Sequence, residues 1–259
     1  MLLVLDVGNT NVVVGIYSGK KLIRHWRLTS RKRTADEVGL LLTGFLDRSG
    51  IEKEQVDSVV YASVVPSLDE IFLEAVKEYL CAPCLKVTPD IDAGVAIKTK
   101  NPAEVGADRL LNAAAAKEKY GAPLIVVDLG TAITLDVVSS EGEYLGGAIA
   151  PGMEVGMELL FSRTAKLPQV SLVAPEKYIG SSTAEAIQSG IVYGFVGMID
   201  ALSIGIFNEL GGPCRVIATG GHAKILAEHS RIVTDVDPWL TLEGLRLVYE
   251  RNQLAFRNA

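Results

Sequence analysis

The chain has 259 residues, a formal charge of −6 and an apolar share of 49%. That length holds two domains or one large one, and that apolar share fills a sizeable core. No long run of one sign occurs, which argues against nucleic acid as a partner, because a phosphate backbone needs clustered Lys and Arg; the densest basic patch, Arg31-Lys32-Arg33, is short enough to be a solvated loop.

The chain opens on an apolar run that ends in Asp6, turns through Gly8-Asn9-Thr10 and becomes apolar again at Val12-Val13-Val14. This pattern predicts a β-hairpin over 2–17 with a site at its bend, and a strand over 21–28 completes an antiparallel meander. Thr34-Ala35-Asp36-Glu37 has the form of a capping box and starts a helix that stops near Ser49-Gly50. A strand over 57–62, a helix opened by Pro66 and a short strand over 85–87 follow, so the first half reads β-β-β-α-β-α-β. Cys81-Ala82-Pro83-Cys84 has CxxC spacing, but Cys214 stands alone and His25, His222 and His229 are scattered. Free thiols in a reducing cytoplasm are expected, with no secretory leader ahead of the first strand.

Asn101-Pro102-Ala103-Glu104 reads as a helix start, with Asn101 as N-cap and Pro102 in the first helical position. The helix is expected to run to Gly121 and to carry Gly106-Ala107-Asp108-Arg109 in its first two turns. The second half then repeats the order of the first: strands over 124–128, 132–138 and 144–149, and a helix over 151–163. After an irregular stretch over 167–180 come a long helix over 182–209, a strand over 215–218 and a helix from His222. A strand over 231–234 and a closing helix after Pro238 complete the chain. The most membrane-like stretch, 190–207, is interrupted by Asp200, Ser203 and glycines, so a buried core helix and no membrane association are expected. Gly190, Gly194 and Gly197 form a smooth stripe on it, suited to packing inside the fold or against a second subunit.

Asp128-Leu129-Gly130-Thr131 repeats the opening pattern of Asp6, Gly8 and Thr10 at a distance of 122 positions. Repetition of whole supersecondary units sets an architecture. Two copies predict two α/β lobes across a cleft, 1–115 and 116–259. A Gly-containing turn aims backbone N–H groups into a concavity that holds phosphate oxygens, and Thr10 and Thr131 add hydroxyls. The carboxylates of Asp6 and Asp128 approach a phosphate only through a cation such as Mg²⁺ or a monovalent ion. Asp108, early in a helix, is favoured in its ionised form and suited to accept a proton from a substrate hydroxyl. Asn112 lies one turn on, and Arg109 suits a carboxylate or phosphate. Each also has a plainer reading, a hairpin cap or an ion pair on a helix. No G-x-G-x-x-G occurs, and Gly15 to Lys20 falls one residue short of a P-loop and precedes a strand. Thr219-Gly220-Gly221 suits either the approach of a nucleoside or a tight strand–helix turn.

As an ordered set, Asp6-Val7-Gly8-Asn9-Thr10-Asn11, Gly106-Ala107-Asp108-Arg109, Asp128-Leu129-Gly130-Thr131 and Thr219-Gly220-Gly221 resemble type III pantothenate kinase. The resemblance covers essentially the whole chain, including Gly146 to Gly152 and Leu240 to Leu245. It implies the duplicated, ribonuclease-H-like fold of the acetate and sugar kinase, heat-shock-70 and actin superfamily. It implies ATP-dependent phosphorylation of pantothenate, the first step toward coenzyme A, with Mg²⁺ and a monovalent cation, K⁺ or NH₄⁺. By the family pattern, Asp6, Val7, Gly8, Asn9, Thr10, Asn11, Val12 and Val13 line the ATP phosphates, Thr131 also touches ATP, and Asp128 helps hold the monovalent cation. Gly106, Ala107, Asp108 and Arg109 hold pantothenate, Asp108 is the base, and Thr183 contacts substrate. Many members have an aromatic residue just before the Asn-Pro, where this chain has Thr99, which alters that part of the pantothenate pocket. The resemblance further implies a homodimer. Two other classes remain open: a non-catalytic nucleotide-binding accessory factor of a transcription regulator, and a sugar or acetate kinase.

Overall fold

The computed structural model describes residues 1–88, 90–164 and 167–257. The chain forms two compact units, each built on one five-stranded sheet. The first comprises Met1–Val95, Lys100–Ala115 and the C-terminal stretch from Leu240; the second comprises Ala96–Thr99 and Ala116–Trp239.

In the first unit, β1 (Leu2–Val7), β2 (Asn11–Ser18) and β3 (Lys21–Thr29) form the expected antiparallel meander. Helix α1 (Ala35–Arg48) leads to β4 (Ser58–Ser63), and α2 (Pro66–Ala75) leads to β5 (Cys84–Lys86). Both β4 and β5 join in parallel, giving the order β3-β2-β1-β4-β5. Side chains alternate across a strand, so Leu3, Leu5 and Val7 share a face with Val12, Val14 and Ile16. That face packs on Val38, Leu42 and Leu46 of α1 and on Leu68 and Phe72 of α2, all buried. Each such side chain contributes about 1.5–3 kcal/mol by leaving water. The capping box is present: Glu37 N donates to Thr34 Oγ1 at 3.2 Å and Thr34 N donates to Glu37 Oε2 at 2.8 Å. Helix α2 starts on Pro66, passes into a π-helical segment over Val76–Leu80 and stops at Cys81 in the left-handed region.

The second unit repeats this order. β6 (Leu124–Leu129), β7 (Ala132–Val138) and β8 (Tyr144–Pro151) form a meander, followed by α4 (Met153–Arg163) and α5 (Thr183–Leu210). β9 (Arg215–Thr219), α6 (Ala223–Ala227) and the two-residue β10 (Asp235–Val236) complete it. The sheet runs β10-β9-β6-β7-β8, which is the first sheet's order strand for strand. Ile125, Val127, Leu129, Ile133 and Leu135 form the face that packs on Ile187, Ile191, Val196 and Ile199 of α5. Helix α3 (Ala107–Tyr120) is continuous across the boundary between the two units, which falls between Ala115 and Ala116.

Four expectations change. The closing helix, α7 (Leu240–Arg257), packs in the first unit, not with 116–239. Its Leu242 is buried beside Gly15, and Tyr249 OH lies 2.9 Å from Ser58 Oγ. The opposite face of the first sheet is apolar and needs a cover, which α7 supplies. The helix expected from Asn101 is broken: Pro102–Glu104 forms one 3-10 turn, Asn101 makes no side-chain cap, and α3 starts afresh at Ala107. The strand expected over 231–234 lies at Asp235–Val236 instead, where Asp235 pairs with Ile217.

Helix α5 is also less buried than expected, with 28% of its most apolar window inside the fold. By length and composition alone it is long and apolar enough to cross a membrane. Its inner side carries the buried Ile187, Ile191, Val192, Val196 and Ile199. Its outer side carries Gly190, Gly194 and Gly197, and a Cβ added at any of them would meet nothing within 4 Å. Among the described residues, therefore, nothing packs closely against these glycines.

Candidate active site

The two Asp-Gly turns occupy corresponding places in their sheets. In the first, Asp6 pairs across the hairpin with Val13 and the buried Val7 with the buried Val12, leaving Gly8 to Asn11 as the bend. In the second, Asp128 pairs with Thr134 and Leu129 with Ile133, and the bend is one residue shorter. A glycine N–H closes each turn: Gly8 N donates to Asn11 O at 3.0 Å, and Gly130 N donates to Ala132 O at 3.1 Å. The residue that follows the third strand pins each turn. Ser30 N donates to Thr10 O at 2.9 Å, and its hydroxyl donates to Gly8 O at 2.5 Å. Gly152 N donates to Thr131 O at 2.9 Å. Asn9, Thr10, Gly130 and Thr131 are thus held in fixed positions and remain exposed, while Asp6 and Asp128 are half-buried at the strand ends. Exposed turns of this kind, with hydroxyls beside them, suit phosphate oxygens.

Gly220 crowds the second turn. It has φ +90°, a conformation that favours glycine, and a Cβ there would lie 2.6 Å from Asp128 Oδ1 and 2.7 Å from the backbone of Leu129. The close approach that the Thr219-Gly220-Gly221 pattern implies is therefore to Asp128 itself.

Asp108 sits in the first turn of α3, and its Oδ1 accepts from Arg109 N at 2.9 Å. Gly106 leaves room for this carboxylate, since a Cβ there would lie 2.5 Å from Oδ1. The carboxylate therefore stands at the positive end of the helix dipole. Ala107 is buried and anchors the helix start, while Asp108 and Arg109 stay half-exposed. Asn112 is buried, and its Oδ1 accepts from Thr241 Oγ1 of α7 at 2.8 Å.

In the second unit, exposed Thr183 is the first residue of α5 and borders an apolar pocket of about 420 Å³ with Leu160, Leu167, Ile187 and Ile191. Thr99 lies in the short segment that pairs with Tyr144, where Lys98 N donates to Tyr144 O at 2.8 Å. Its hydroxyl oxygen is buried and has no hydrogen-bond partner among the described residues. The cysteines are free thiols, as expected, and burial pushes Cys84 up to about 12.

Among the described residues no three or more His, Cys, Asp or Glu side chains gather as a metal site. A cation at either turn would therefore rely on few protein ligands and on the phosphates themselves, the usual arrangement for Mg²⁺. The donor set at the second turn fits a hard cation: the Asp128 carboxylate lies across the ladder from the hydroxyl of Thr134. Sequence reasoning missed Ser30, Gly152, Thr134, Asp136 and Tyr144. Laying the two copies over one another in register is the signal that finds the last three.

Matching sheets, each with an Asp-x-Gly turn, define a duplicated, actin-like α/β fold. Solved structures agree. One whose description places it in the Baf family of transcriptional activators, from Campylobacter jejuni, aligns at TM-score 0.61 with 21% identity, covering 97% of this chain and 99% of that one. Component A of (R)-2-hydroxyglutaryl-CoA dehydratase from Acidaminococcus fermentans aligns at 0.55 with 16% identity, covering 98% of each chain. At these identities the likeness establishes the fold alone.

The sequence comparisons go further. The family profile described as type III pantothenate kinase matches residues 2–204. A type III pantothenate kinase of Moorella thermoacetica is 48% identical over 253 residues, covering 97% of this chain and 100% of the relative. One from Myxococcus xanthus is 46% identical, with 97% and 99% covered. The chain belongs to the type III pantothenate kinase family.

Proposed function

We propose the following division of roles for an enzyme of this family, whose reaction is phosphorylation of pantothenate by ATP in coenzyme A biosynthesis. The observation that carries it is Asp108, a carboxylate fixed at a helix start with its oxygen held by the Arg109 N–H. Asp108 orients the pantothenate hydroxyl and takes its proton late. Phosphoryl transfer passes through a loose transition state, so positioning does most of the work and a base contributes a modest factor. Gly106, Ala107 and Arg109 hold pantothenate together with Thr183 and, in place of an aromatic residue, Thr99. The turn from Asp6 through Asn11, backed by Val12 and Val13, receives the ATP phosphates, and Thr131 of the second turn also meets ATP. Asp6 serves Mg²⁺ and Asp128 a monovalent cation, K⁺ or NH₄⁺. When bound, these cations neutralise charge that develops on the phosphoryl oxygens.

The test is ADP release with ATP, Mg²⁺ and K⁺, with and without pantothenate. Asp108→Asn lowers turnover by about 10²-fold or more while the KM for pantothenate changes little. Near-normal turnover in that variant removes Asp108 from the role.

The enzyme acts in the cytoplasm as a homodimer. The uncharged outer stripe of α5 (Ala186, Gly190, Gly194, Gly197, Ala201) supports this, because a solvated helix face ordinarily carries charge. Light scattering then gives the mass of two 27.7 kDa chains, and the mass of one overturns the dimer. The accessory-factor reading has no observation of its own, since the likeness to the Baf-family structure speaks only to fold.

A further inference from the structure

The second sheet carries a buried polar line that the first sheet lacks. Asp136 is fully buried, and each of its oxygens accepts from a hydroxyl: Thr134 Oγ1 donates to Oδ2 at 2.8 Å, and Tyr144 OH donates to Oδ1 at 2.7 Å. Tyr144 is itself fully buried on β8. Along β7, Thr134 and Asp136 are two residues apart and so lie on one face. Thr134 is paired directly with Asp128 across the ladder, where side chains are neighbours.

The architecture does not require this line. In the first sheet Asp6 faces Val13 where Asp128 faces Thr134, and Val4 faces Gly15 where Val126 faces Asp136. The same strand order is built there with apolar and small residues, and Leu242 occupies the space beside Gly15. A buried carboxylate is costly unless it is hydrogen-bonded, and both oxygens of Asp136 are. A threonine hydroxyl has one proton and two lone pairs. With that proton given to Asp136, Thr134 turns only acceptor capacity toward its neighbour Asp128. Two adjacent acceptors, one of them a carboxylate, suit a hard cation.

We propose that Thr134 is a ligand of the monovalent cation assigned to Asp128, and that Asp136, anchored by Tyr144, is the positioning residue that fixes the Thr134 hydroxyl in its acceptor orientation. This rests on the reading of Asp128 as the cation residue. It also gives a reason for the cation to belong to the second turn: the first turn has Val13 at the corresponding position.

The experiment compares Thr134→Val, Thr134→Ser and Asp128→Asn in the full-length protein. Cation binding is read without turnover, by titrating thallium(I) and following its NMR signal, and by the thermal shift in potassium against choline salts. The K⁺ dependence of ADP release is measured alongside. Thr134→Val should raise the half-saturating K⁺ and Tl⁺ concentrations by about 10-fold or more, as loss of support at a metal site ordinarily does, with the pantothenate KM unchanged. Thr134→Ser, which keeps the hydroxyl, should stay close to wild type. Asp136→Asn should move in the direction of Thr134→Val, and if it fails to fold the Thr134 pair still decides. Wild-type Tl⁺ binding in Thr134→Val, with binding lost in Asp128→Asn, overturns this proposal and leaves the Asp128 reading standing. No cation response in the wild type overturns both.

Discussion

The two sheets share one strand order, one hairpin at the same place and one mode of pinning it, yet they differ in what covers their second face. In the first, that face is apolar and closed by α7, with Leu242 against Gly15. In the second, the corresponding position is the buried, doubly hydrogen-bonded Asp136. The comparison separates what the fold needs from what the chemistry needs. Shared features, such as the Gly8 and Gly130 N–H closures, are scaffold for two exposed turns. Unshared ones, such as Thr134, Asp136 and Gly220, set the second turn apart from the first.

The strongest way to break the comparison is to force the second pattern onto the first sheet. Gly15→Asp places a carboxylate where even a Cβ would lie 2.9 Å from Leu242 and 3.0 Å from Val4. Overpacking and an unpaired buried charge together should cost more than about 4 kcal/mol, enough to leave the chain unfolded in urea denaturation or circular dichroism. A folded, active Gly15→Asp would mean that the two faces are interchangeable.

A smaller effect sharpens it. Gly220→Ala combines a left-handed backbone with a Cβ 2.6 Å from Asp128 Oδ1, so a loss of about 2–4 kcal/mol in stability is expected. At the corresponding place the first sheet has Ser63, since Asp6 pairs with Ala62 where Asp128 pairs with Thr219. Ser63→Ala, which removes the hydroxyl that accepts from Val65 N at 3.1 Å, should cost only about 0.5–1.5 kcal/mol. Equal losses would place no special demand on the second turn.

The smallest effect concerns the edge of the first sheet, which has no cysteine-bearing counterpart in β10. Burial raises the Cys84 thiol to about 12, so at pH 8 its thiolate fraction is about 10⁻⁴ and alkylation is slow. Raising the pH toward 12 should accelerate labelling of Cys84, while exposed Cys81 is labelled first at pH 8. Rapid joint labelling at pH 8 would contradict the buried edge.

Much of this architecture was legible in the chain because its signals are local. The Asp-Gly turns, the Thr34–Glu37 box and the alternating apolar strands each act within a few residues. What was not legible depends on distant partners. The place of α7 is set by the uncovered face around Gly15, far away in sequence. The break before α3 falls at Val105, whose extended backbone ends the Pro102–Glu104 turn, and an Asn-Pro start signal does not reveal it. The outward turn of the α5 glycines depends on which side of the helix meets the sheet, and a period of small residues reads the same from either side. Thr134 and Asp136 read as ordinary strand residues until β7 is set in register against β2.

The central claim is that the two turns are not equivalent, the second alone serving the monovalent cation. Its most direct test is a K⁺ titration of pantothenate-dependent ADP release, at constant ionic strength with Na⁺, for the wild type, Asp6→Asn and Asp128→Asn. The account predicts a K⁺ response that Asp6→Asn retains at a lower rate and that Asp128→Asn loses, giving the same residual rate in Na⁺ and K⁺. A K⁺ response that survives in Asp128→Asn and disappears in Asp6→Asn would contradict it.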